Sequence, residues 1–124
     1  MLNTLIVGAG SGVGLKLAES LIADGHKLWT TSRSPQHPLQ THHSCWEANT
    51  DFPTEDLPDT LACMVYCPGT ISLQPFHRTD LSTFVKDIEI NLFGAVRALT
   101  DSEKTQQHVI PLDASVSVTI LHQR

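Results

Sequence analysis

Residues 7 to 14 read VGAGSGVG: Val7, Gly8, Ala9, Gly10, Ser11, Gly12, Val13 and Gly14. The apolar run Leu5-Ile6-Val7 leads into this stretch, and Val13, Leu17, Leu21 and Ile22 follow at helical spacing. A short buried strand therefore enters a glycine turn, and the turn opens a helix that Gly25 ends. Glycine permits positive φ and lets another group come close to the backbone. A helix N-terminus adds unpaired N–H groups and the positive end of the helix dipole. Strand, glycine turn and helix in this order read as a phosphate site. A turn that merely connects strand to helix is the plainer alternative.

The rest of the chain extends this unit. Lys27 to Thr31 reads as a second strand, Ser34 to Pro38 as a loop, and Ser44 to Ala48 as a third strand. Pro53 and Pro58 bracket room for one helical turn. Leu61 to Cys67 is a fourth strand, apolar throughout, which Pro68-Gly69 ends. Leu81, Phe84, Val85, Ile88, Leu92, Phe93, Val96 and Leu99 recur at spacings of three and four, a long helix that Thr79 or Asp80 could cap. The pattern fades after Thr100, and Ser115 to Leu121 supplies a final strand. Strands alternating with helices imply an α/β fold, a doubly wound parallel sheet of Rossmann type with about five strands. At 124 residues the chain is expected to form a single domain, 1–124.

Bulk properties narrow the function. The net charge of −5, with no run of Lys or Arg, argues against a nucleic-acid partner. No apolar stretch approaches the ~18 residues of a membrane span, and no charged segment precedes the first apolar run as in a secretory leader. Cys45, Cys63 and Cys67 are an odd, sparse set that suggests reduced thiols and a cytoplasmic protein. Cys63 and Cys67 would lie about 13 Å apart along a strand, too far for one metal or one disulfide. They read as small buried hydrophobes. The histidines, His42-His43 included, read as loop and surface residues, with no zinc-like spacing and no metal site expected.

The glycine spacing discriminates among phosphate loops. GxGxxG fails, because it needs glycine at Val13 or at Leu15, and the P-loop fails because Leu15 precedes Lys16. GxxxGxG fits as Gly8, Gly12 and Gly14. This spacing resembles the short-chain dehydrogenase/reductase family, with Val7 where that family usually has Thr. The resemblance runs on in order. Thr31-Ser32-Arg33-Ser34 follows the second strand, where NADP-preferring members carry a basic residue and NAD-preferring members often an acid. Tyr66-Cys67-Pro68-Gly69 stands in place of the family's Asn-Asn-Ala-Gly, with only Gly69 matching. Asp51 lies near the family's adenine-binding Asp. Ile90-Asn91-Leu92-Phe93-Gly94 looks like its central helix, whose Asn belongs to the catalytic tetrad.

The resemblance implies a dinucleotide cofactor held by Gly8, Ser11, Gly12, Val13, Gly14, Ser32, Arg33, Asp51, Cys67, Pro68 and Gly69, with Asn91 as the remnant of a catalytic site. Arg33 implies NADP(H) over NAD(H), since guanidinium matches phosphate geometry. The family's hydride transfer also needs a Ser and a Tyr-x-x-x-Lys. The single tyrosine is Tyr66, four residues before Thr70, and the last strand ends in His122-Gln123-Arg124. The chain thus reads as a truncated, cofactor-binding first half, its fifth strand left as an edge in the order 3-2-1-4-5. Alternatives are half of an active oxidoreductase completed by another chain, and an interaction module pairing with full-length relatives. The apolar helix from Leu81 to Leu99 implies a homo-oligomer.

Overall fold

The computed structural model describes residues 3–70 and 74–104. The expected strand at 115–121 lies outside the described residues. Strand β1 (Asn3–Val7) is followed by helix α1 (Gly12–Ala23), then by β2 (Lys27–Ser32), β3 (His42–Cys45) and β4 (Cys63–Tyr66). The order β3-β2-β1-β4 is parallel throughout. Its register sets Leu5 between Trp29 and Met64, and Val7 between Thr31 and Tyr66.

Side chains alternate across the sheet, so each strand feeds two cores. On one face Ile6, Leu28 and Cys67 pack with Ala18 of α1, joined by Leu17, Leu21 and Ile22. On the other, Leu5, Val7, Trp29, Met64 and Tyr66 pack with Trp46, Phe52, Ala95 and Ala98. Both faces are covered, as a doubly wound sheet requires.

The long helix is three pieces: α2 (Leu81–Ile88), a π-helical turn (Glu89–Phe93) and α3 (Gly94–Lys104). It runs past Thr100, where the apolar pattern fades. Ser102 occupies the core face by bonding its hydroxyl back to the carbonyls of Ala98 (2.5 Å) and Leu99 (3.1 Å). Leu81, Val85, Leu92 and Val96 remain more than half exposed.

Three expectations shift. The third strand begins two residues early and ends at Cys45, because Trp46 turns into the core, edge-on to Phe52 and Tyr66. His42 and His43 are therefore strand residues: His42 stacks on Trp29 at 4.8 Å, and His43 bonds to Thr30 and Ser32. Cys63 is exposed rather than buried: it opens β4 on the face that α1 covers, where Val65 and Cys67 join the core and Cys63 does not.

Candidate functional site

The carboxyl ends of β1, β2 and β4 open into one cleft of about 1310 Å³. It lies where the chain switches direction across the sheet, with β2 on one side of β1 and β4 on the other. Open α/β sheets hold ligands at that place. Gly8, Gly10 and Ser11 line it from the glycine turn, Ser32 and Arg33 from the end of β2, and Cys67, Pro68 and Gly69 from the end of β4. Asn49 and Ala48 form one rim, and Lys86, Glu89 and Ile90 form the helical wall.

The glycines are explained by how tightly this turn is folded. Gly8 sits at φ 80°, and its N–H and that of Ala9 both donate to the Thr31 carbonyl at 2.9 Å. A Cβ on Gly8 would lie 2.8 Å from Pro68 Cδ, and one on Gly10 would lie 2.9 Å from Ser32 Cβ. A Cβ on Gly14 would collide with the Gly8 carbonyl oxygen, so helix and turn touch backbone to backbone. The turn is thereby wedged between the ends of β2 and β4. It leads into a helix N-terminus without a capping bond from the Ser11 side chain and without an acid in the first turn. Nothing in that turn of helix opposes an anion.

A histidine network braces the loop after β2. The Leu39 N–H donates to His37 Nδ1 (3.1 Å), so Nε2 carries the proton and donates to the Ala9 carbonyl at 2.8 Å. His43 bonds through Nδ1 to Thr30 Oγ1 (2.8 Å), and its Nε2 lies 3.1 Å from Ser32 Oγ and 2.9 Å from the Ser34 carbonyl. The Arg33 loop is thus anchored to the glycine turn at one end and to β3 at the other. Sequence reading missed this role, because it depends on strand register rather than on local spacing.

The helical wall is held by a second set of contacts. The Asn91 side chain donates to the Thr70 carbonyl (2.6 Å) and accepts from the Thr70 N–H (2.8 Å). Arg97 pairs with Glu89 at 2.6 Å and donates to the Ala48 carbonyl at 2.8 Å. The Tyr66 hydroxyl donates to the Ile90 carbonyl at 2.5 Å. Burial pushes the Tyr66 phenol up to about 12, against a smaller opposing pull from Arg97. Burial also raises the Cys67 thiol, which therefore stays protonated at neutral pH.

Of the residues singled out in the sequence, Gly8, Ser11, Ser32, Arg33, Cys67, Pro68 and Gly69 line the cleft. Gly12 opens α1 at φ 55°, Val13 is exposed in its first turn, and Gly14 packs beneath. Asp51 is exposed, and Asn49 rather than Asp51 reaches the rim. Asn91 stands behind the wall, bonded to Thr70. Thr31 reaches the cleft floor, and its buried Oγ1 has no hydrogen-bond partner among the described residues. No cluster of three or more His, Cys, Asp or Glu side chains suited to a metal exists among the described residues. No described helix is long and apolar enough to cross a membrane.

No family model and no curated protein sequence matches the chain. Solved structures do. A carbonyl reductase from Pseudomonas aeruginosa PAO1 superposes with a TM-score of 0.75 at 22% identity, over 86% of this chain and 57% of its own. A short-chain dehydrogenase/reductase from Vibrio parahaemolyticus gives 0.72 at 22% identity, over 94% and 61%. The aldohexose dehydrogenase of Thermoplasma acidophilum gives 0.70 at 18% identity, over 84% and 44%. The chain spans about half the length of these proteins. Over that length its fold is that of the short-chain dehydrogenases and reductases.

Proposed function

We propose that the chain binds a nicotinamide dinucleotide in the cleft at the ends of β1, β2 and β4, and that it takes NADP(H) in preference to NAD(H). The observation that carries this reading is the convergence of the glycine turn, the open N-terminus of α1 and Arg33 on one cleft at the topological switch point. Gly10, Ser11 and the first N–H groups of α1 would hold the pyrophosphate. Ser32 and Arg33 would hold the 2′-phosphate, with the histidine network keeping their loop in place. Asn49, or Asp51 after a small movement, would meet the adenine. Cys67, Pro68 and Gly69 would follow the ribose, with Asn91 supporting them through Thr70.

A bound nicotinamide supplies a hydride acceptor or donor. The 124 residues contain no Tyr-x-x-x-Lys to move the accompanying proton. Cofactor binding rather than turnover by these residues alone is the activity we assign. The carbonyl reductase and dehydrogenase likeness supports oxidoreductase ancestry for this single unit. We further infer that a second copy of the chain covers the exposed face of Leu81, Val85, Leu92 and Val96.

Titrating NADPH into the 15N-labelled chain tests the site. Amide signals of Gly10, Ser11, Ser32, Arg33 and Gly69 are expected to move together and saturate, while those of the α2 exterior stay in place. Movement elsewhere, or none at millimolar NADPH, would remove the assignment.

A further inference from the structure

We propose that Tyr66 is a positioning residue: its hydroxyl holds the π-helical turn Glu89–Phe93 in place and so sets Asn91 against Thr70 on the cleft wall. That the wall faces a dinucleotide rests on the function proposed above. The positioning itself rests on geometry alone.

In an uninterrupted α-helix the Ile90 carbonyl would accept from the Gly94 N–H. Here the Tyr66 hydroxyl donates to that carbonyl at 2.5 Å, and the Gly94 N–H donates to Glu89 instead. The bond reaching back five residues is the π turn. A side chain inserted into the helix ladder is a recognised cause of such a break, and π turns gather at functional sites. Gly94 makes the insertion possible. A Cβ there would collide with the Tyr66 hydroxyl and lie 2.8 Å from Ala48 Cβ. Tyr66 is wholly buried, and the rise of its pKa to about 12 keeps the phenol protonated and able to donate across the physiological range.

The turn carries two contacts to the cleft. Asn91, next to Ile90, makes its reciprocal amide pair with the Thr70 backbone. Glu89, at the start of the turn, is held by Arg97, which also bonds the Ala48 carbonyl. Thr70, Glu89, Ile90 and Ala48 all line the cleft. Were the turn to close into an α-helix, the segments on either side would rotate by about 100° relative to each other. Asn91 and Glu89 could not then both keep their partners. A phenylalanine at position 66 would fill the same space, so the hydroxyl has a role that packing does not explain.

The test compares Tyr66→Phe with the unaltered chain by two readouts. The first needs no ligand: the Asn91 side-chain amide resonances, displaced by the two Thr70 bonds, are expected to move to the position of a solvated amide. The second is calorimetry with NADPH. Tyr66→Phe is expected to weaken binding about tenfold, Asn91→Ala is expected to weaken it likewise, and the double variant is expected to lose no more than Asn91→Ala alone. Unchanged Asn91 resonances, or additive losses, would overturn the inference. If the unaltered chain binds no NADPH, the dinucleotide reading fails, while the Asn91 resonances still decide the role of Tyr66. Should Tyr66→Phe not fold, the single tyrosine allows 3-fluorotyrosine to be placed at this position alone. Its fluorine line is expected to shift on Asn91→Ala, and no shift would overturn the inference.

Discussion

His37 Nε2 donates to the Ala9 carbonyl at 2.8 Å, joining the loop after β2 to the glycine turn after β1. These residues are 28 apart in sequence, and the two segments form adjoining sides of the cleft. His37→Leu removes this donor and the acceptor used by the Leu39 N–H. We expect a loss of about 1 kcal/mol in urea denaturation, with NADPH binding weakened more than the stability loss alone would cause. Equal NADPH affinity in His37→Leu would mean that the brace does not shape the site.

Gly14→Ala and Gly25→Ala separate two uses of glycine. At Gly14 a Cβ meets the Gly8 carbonyl, so the helix must move away from the turn. The expected cost is about 2–3 kcal/mol, together with loss of dinucleotide binding. At Gly25 the φ of 83° penalises alanine, but the position is remote from the cleft, and a cost of about 1 kcal/mol with binding retained is expected. Thermal denaturation and titration of both variants check the contrast.

Thr31 buries a hydroxyl that has no partner among the described residues. Thr31→Val keeps the shape and removes the unsatisfied group. It is expected to stabilise the unliganded chain by about 1 kcal/mol. A lower melting temperature for Thr31→Val would show that the hydroxyl is bonded in the folded chain.

Tyr66 makes stability fall in alkali. Its phenol titrates near 10 when unfolded and about 12 when folded, raised chiefly by burial. Between those values the unfolded chain binds fewer protons than the folded one, so stability declines as pH rises through that window and is intact below it. Because Tyr66 is the single tyrosine, phenolate absorbance reports it alone. Its appearance is expected to coincide with unfolding seen by circular dichroism. Ionisation near pH 10 in a still folded chain would contradict the buried hydroxyl.

The sheet was legible because its signals are local. The apolar run before VGAGSGVG, the helix after it and the apolar stretch at Leu61–Cys67 each announce themselves within a few residues. So does the candidate site, since the three chain segments named from the glycine spacing, from Arg33 and from Gly69 lie at one cleft. What was not legible depends on distant pairs. His42 and His43 join the sheet because Trp29 and Thr30 lie opposite them, and the helix breaks at Ile90 because a phenol 24 residues away takes its carbonyl. Ser102 looks polar in sequence, yet it satisfies its hydroxyl on its own helix and enters the core.

The exposed face of α2 and α3 is expected to associate. Light scattering at micromolar concentration should give at least a dimer mass, and Leu92→Glu or Val96→Glu should return it to a monomer. A monomer in the unaltered chain would leave that face without a second copy.

The central claim is most directly tested by calorimetric titration of the folded chain with NADPH and NADH, repeated with Arg33→Ala. The account expects saturable binding, tighter for NADPH than for NADH, with the difference largely lost in Arg33→Ala. No heat from a chain that circular dichroism shows to be folded would contradict it, and VGAGSGVG would then be a turn that serves the packing of β1, β2 and β4 and holds no ligand.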